Sequence, residues 1–189
     1  MALAEGALWQ TIAEEAARES ELWAAALRPV ERRATIPVFA PLAAAAHALG
    51  LETIYEGYLL HYGRPRLFSA PDRETTVLLG DYLYAHGLVR IAELGDVAVV
   101  ADLAELLSLC AQLRADGRAG ERVPDGPLWA ATVAFLGRGD ERLAAARAEL
   151  RDGGSADSLA RLAASACGEA RVAQALALHG ERVARIARR

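Results

Sequence analysis

The sequence contains no lysine and no asparagine, so all 21 of its Lys-or-Arg positions are arginine. A P-loop, which needs its lysine on the phosphates, is thereby excluded. Two cysteines, Cys110 and Cys167, are too few for a disulfide framework, or for a zinc site by themselves. Both fall in apolar helical patterns, where cysteine serves as a small buried hydrophobe. No apolar run approaches the roughly 18 uncharged residues of a membrane span, and Glu5, Glu14 and Glu15 interrupt any leader-like pattern. The expectation is a cytoplasmic chain with no membrane span. A formal net charge of -4 gives no reason to expect a nucleic-acid partner. Runs of β-branched alternation are missing as well, so no sheet is expected.

What is present is helical periodicity. With 189 residues, 53% of them hydrophobic and 24% charged, the chain can bury the core of one domain spanning 1–189. The pattern predicts seven helices in an antiparallel all-α bundle. The first covers about 3–27 and ends at Pro29. The second starts near Pro37 or Pro41 and runs to about Tyr62. A loop from Gly63 to Pro71 follows, because of its prolines. The third runs from Asp72 to Leu94, and Asp96 caps the fourth, which reaches Ala115. Residues 116–126 read as a hinge or a deletion point. Pro127 opens a short fifth helix, Asp140 a sixth that stops at Gly153, and Ser155 a last one reaching His179 or the C-terminus.

Three acids are informative by position. Val77, Asp81, Tyr84, Leu88 and Ile91 share one helical stripe, so Asp81 is expected to face the interior and be paired there. It serves either as an ion-pair partner of a neighbouring arginine or as a carboxylate lining a cavity. Glu52 and Glu56, four residues apart, share a face. That face is either solvated or bridged by a cation such as Mg²⁺.

The residues around these acids carry a resemblance. Leu51-Glu52-Thr53-Ile54-Tyr55-Glu56 leads to His61-Tyr62-Gly63-Arg64-Pro65, and then to Val77-Leu78-Leu79-Gly80-Asp81-Tyr82-Leu83. This resembles the trans-polyprenyl diphosphate synthases. There an aspartate-rich D-D-x-x-D motif precedes R-R-G-x-P and a helix beginning A-V-L-x-G-D-x-L. The match is good over about residues 43–115, and the last helices, Ala148 to Leu176, look similar more vaguely.

The resemblance implies an isoprenoid-synthase-like bundle. It places Glu52, Thr53, Glu56, Arg64 and Asp81 at metal or diphosphate positions, and Tyr55, Tyr58, Tyr62 and Tyr84 either in plain core or lining a prenyl-chain cavity. The departures point away from catalysis. Thr53 breaks the first motif, His61 and Tyr62 replace the paired arginines, and no second aspartate-rich motif follows. The chain is also markedly shorter than the family's enzymes. A metal cluster that ionises an allylic diphosphate needs facing carboxylates. No catalytic residue, cofactor or bound metal is therefore expected, with Glu52 and Glu56 binding Mg²⁺ only if activity remains. The implied function is a non-catalytic subunit in isoprenoid biosynthesis, forming a homodimer or a heteromer with a full-length prenyl diphosphate synthase. A prenyl-chain or lipid-binding protein and a residual Mg²⁺-dependent diphosphate enzyme are the alternatives. Family enzymes dimerise through the helices that correspond to residues 72–94 and 96–115. The basic C-terminus, Arg182, Arg185, Arg188 and Arg189, reads as a solvated helix end or as a contact for an acidic partner.

Overall fold

The computed structural model describes residues 5–117 and 123–183. Nine α-helices and no strands occur among the described residues, as an all-α reading requires. None of these helices is long and apolar enough to cross a membrane. The hinge expected at 116–126 falls partly on 118–122, and Arg185, Arg188 and Arg189 also lie outside the described residues.

The helices are α1 (Glu5–Glu19), α2 (Glu21–Ala26), α3 (Ala48–Tyr62), α4 (Arg73–Ala92), α5 (Val97–Asp116), α6 (Asp125–Ala134), α7 (Glu141–Arg151), α8 (Asp157–Cys167) and α9 (Glu169–Val183). Two of the seven expected helices are split. Ser20 interrupts the first by taking extended backbone angles, and its hydroxyl accepts from the Leu22 amide as an N-cap. Gly168, at φ +87°, breaks the last into α8 and α9. The second helix starts later than Pro37 or Pro41: short 3₁₀ turns occupy 40–42 and 45–47, and the α-helix begins at Ala48.

The described residues form two compact units, 5–37 with 45–90 and 181–183, and 38–44 with 91–117 and 123–180. The first unit is built on α3, whose residues Gly50 to Leu60 are all buried. Its apolar core joins Leu8, Trp9, Ile12 and Ala16 of α1 to Leu60, Leu67, Phe68, Leu79 and Leu83. Helices α3 and α4 touch backbone to backbone through glycines. A Cβ on Gly57 would lie 2.8 Å from the Gly80 carbonyl oxygen, and one on Gly87 would lie 2.4 Å from Ile54 Cγ1.

This contact sets the face that α4 buries. Leu79, Leu83 and Ile91 are closed to solvent, whereas Val77 is 39% exposed. The expected stripe through Asp81 is thus rotated about a quarter-turn from the true one. In the second unit, α6 supplies a fully buried Trp129 whose ring stacks on Phe39 at 5.4 Å. The apolar stripe of α8, Leu159 and Ala163, is buried in the same unit.

Candidate functional site

The three residues read from the sequence as degenerate metal positions, Glu52, Thr53 and Glu56, are all fully buried on α3. A carboxylate removed from water needs a counter-charge and full hydrogen bonding. Arg66, from the loop between α3 and α4, supplies both. Its Nη1 donates to Glu52 Oε2 at 2.5 Å and its Nε to Glu56 Oε2 at 2.9 Å. Glu56 Oε1 accepts two backbone amides, of Arg66 and Leu67, each at 2.7 Å. The guanidinium, 1% exposed, also lies over the rings of Trp9, at 4.5 Å, and Tyr55, at 5.0 Å. Burial alone would push Arg66 down, but Glu52 and Glu56 outweigh it and hold the guanidinium above its ordinary pKa.

The loop is held in place by backbone pairing. Leu27 and Phe68 form an isolated antiparallel bridge, the Arg28 amide donates to Leu67 O at 2.8 Å, and the Ser69 amide donates to Ala26 O at 2.7 Å. Thr53 is engaged as well: its hydroxyl donates to Leu49 O at 2.7 Å and accepts from Arg90 Nη1 at 2.5 Å. Arg90 in turn pairs with Glu15, which also binds His86 Nε2 at 2.9 Å. Burial would raise the Glu15 carboxyl, yet the hydrogen bonds from His86 and Arg90 outweigh it and hold its pKa below 4.5.

The remaining expected residues are placed differently. Asp81 does not face the interior. Its side chain is 62% exposed, with Oδ1 lying 3.1 Å from His61 Nε2. The reason is the glycine contact, which turns Gly80 toward α3 and its neighbour Asp81 outward. Arg64 is exposed, and its amide donates to Arg182 O at 2.9 Å while its guanidinium donates to Glu181 O. It therefore binds the last turn of α9, where a cation complements the helix dipole. Tyr55 and Tyr58 are core side chains, 1% and 0% exposed, stacked at 6.0 Å. Tyr62 and Tyr84 are half-buried, the latter stacked on His61 at 5.1 Å. No group of three or more His, Cys, Asp or Glu suited to a metal ion occurs among the described residues.

The sequence reading missed Arg66 and Arg90. Their signal was the demand itself, since two glutamates on a helix buried on all sides must draw a cation from elsewhere in the chain. It also missed two polar centres of the second unit. Arg147 is buried, and its Nη1 binds Asp102 at 2.9 Å and Glu105 at 2.8 Å. Asp125 is buried between Arg114 and His179, with His179 Nε2 at 3.1 Å. An open groove of about 480 Å³ lies between α7 and α8, with Arg142 and Arg161 on its walls. Arg142 is already bound to Asp140 and Glu149 also lines the groove, so no net charge is left to select a ligand. No family model, no curated protein and no solved structure matches the chain.

Proposed function

We propose that this chain is a non-catalytic subunit with an isoprenoid-synthase-like bundle, pairing with a full-length polyprenyl diphosphate synthase or with itself. The observation that carries this reading is Arg66, whose guanidinium holds both Glu52 and Glu56 inside the first unit. In a catalytic member these positions would have to face an open cavity and bind Mg²⁺. Here a metal could reach them only by expelling a buried guanidinium from between two carboxylates and two rings. The same arrangement speaks against a residual Mg²⁺-dependent enzyme. The closed packing of Tyr55 and Tyr58 speaks against a prenyl cavity at those residues.

The test has two arms. The purified chain is incubated with Mg²⁺, isopentenyl diphosphate and an allylic diphosphate, and no elongation above background is expected. It is then mixed with a full-length polyprenyl diphosphate synthase from the same genome, and co-elution with a changed product chain length is expected. Turnover by the chain alone would overturn the non-catalytic half. Absence of any association, with the chain a monomer at micromolar concentration, would overturn the subunit half.

A further inference from the structure

Helix α4 carries a second apolar stripe beside the face it buries. Leu78, Tyr82, Ala85 and Val89 recur at spacings of four, three and four, so they form one stripe, distinct from that of Leu79, Leu83 and Gly87. Leu78 is 58% and Val89 53% exposed, and Ala85 is exposed too. Tyr82, between them, is half-buried and packs against the first unit's core, and its ring stacks on Trp23 of α2 at 5.9 Å and on His86 at 5.3 Å. Next to Trp23 in the chain, Leu22 is 60% exposed. An apolar face of this kind is a docking surface.

The rim says what docks there. Across α2 and α4 and the turn before them, the exposed carboxylates of Glu19, Glu21, Glu74 and Asp81 outnumber the exposed guanidiniums of Arg18 and Arg73. Arg18 is itself 3.9 Å from Glu15, and Arg90 and His86 are held by the same carboxylate. A second copy would bring a second acidic rim against the first, whereas a cationic partner would be attracted.

We infer that the α2–α4 face, centred on Leu78, Tyr82 and Val89, docks a basic amphipathic helix of a different protein. The partner's apolar side chains, spaced at i, i+4 and i+7, pack along the stripe, and its Lys or Arg residues meet the acidic rim. This deepens the subunit reading and rests on it only for the existence of a partner.

The experiment uses the full chain and two idealised helical peptides of equal length, one of leucine and lysine and one of leucine and glutamate. Trp23 is the reporter, because Trp9 and Trp129 are 3% and 0% exposed. The Leu/Lys peptide is expected to shift Trp23 emission to the blue, and a Trp23→Phe variant to lose that shift. Binding should weaken with added salt, and the Leu/Glu peptide should bind at least about tenfold more weakly. The exposed pair Leu78→Gln and Val89→Gln should weaken the Leu/Lys peptide by about tenfold or more while the fold is unchanged.

The inference is overturned by any of three results: no binding, equal binding of the two peptides, or binding indifferent to the glutamine pair. A wild-type dimer that becomes monomeric on the same substitutions overturns it too, since the face would then belong to a second copy. A chain that binds the Leu/Lys peptide at this face but ignores every synthase loses the subunit reading and keeps this one. Synthase association indifferent to the glutamine pair does the reverse.

Discussion

Replacing Arg66 by methionine removes the guanidinium that bridges two fully buried carboxylates. Methionine fills much of the aliphatic volume but makes none of the guanidinium's bonds to Glu52, Glu56 or the carbonyl of Ile36. Breaking a buried ion pair from one side costs about 3–5 kcal/mol, because the remaining charge stays buried without compensation. Two carboxylates share the loss here, so Arg66→Met is placed at the upper end of that range. Against a total stability of about 5–15 kcal/mol, this is enough to unfold a marginal domain.

Removing the charges together should cost far less. The compensated variant is Glu52→Leu, Glu56→Gln, Arg66→Met, with glutamine retained at 56 because its oxygen must still accept the amides of Arg66 and Leu67. It should lie within about 2 kcal/mol of the wild type. Urea unfolding followed by helical circular dichroism and by tryptophan emission, to which Trp9 contributes, measures both. A loss below about 1 kcal/mol for Arg66→Met, or a compensated variant no more stable than the single one, refutes the reasoning.

Three further outcomes follow from the same packing. Gly87→Ala would ordinarily strengthen a helix by about 1 kcal/mol, but here its Cβ meets Ile54 Cγ1 at 2.4 Å and Gly50 O at 2.9 Å. A destabilisation of about 1–3 kcal/mol is expected, and a raised urea midpoint would remove the close approach of α3 and α4. Asp81→Asn changes an exposed side chain and should shift stability by no more than about 0.5 kcal/mol, whereas a loss of several kcal/mol would restore the interior placement expected from the stripe. Glu15 has a depressed folded pKa, so its contribution is present above the ordinary carboxylate value of 4.5 and is lost as the pH falls through the lower folded value. Glu15→Gln should flatten the acid limb of the midpoint-against-pH curve, and superimposable limbs for variant and wild type would contradict this.

Helix existence was legible because the chain punctuates itself. Asp96 caps α5 at the Val99 amide, Asp140 caps α7 at the Arg142 amide, and Gly153 stands just past the end of α7 with φ +83°. Breaks inside an apolar run were harder to see. Ser20 and Gly168 lie within otherwise continuous periodicity, and nothing local distinguishes a tolerated serine or glycine from one that ends a helix. The face of α4 was illegible for a related reason. Leu78, Leu79, Leu83, Val89 and Ile91 surround the helix, so the apolar period did not select one side. The choice fell to Gly80 and Gly87, which have no side chain to count in a hydrophobic pattern but permit the closest approach to α3.

The candidate site shows the same limit in its chemistry. Two glutamates four residues apart on α3 say that a cation is required once the helix is buried, but they do not say which cation. A metal ion, a neighbouring helix's arginine and a loop arginine all satisfy the spacing equally. What selects Arg66 is non-local: the bridge from Leu27 to Phe68 and the Arg28–Leu67 hydrogen bond draw the loop back beside the first unit's core. That pairing leaves Arg66 with its amide and its guanidinium both directed at Glu56. Backbone and side chain of one residue thus satisfy one carboxylate from two directions. A spacing that reads as a metal motif is therefore compatible with a structural ion pair, and Arg66 engages both carboxylates in that way.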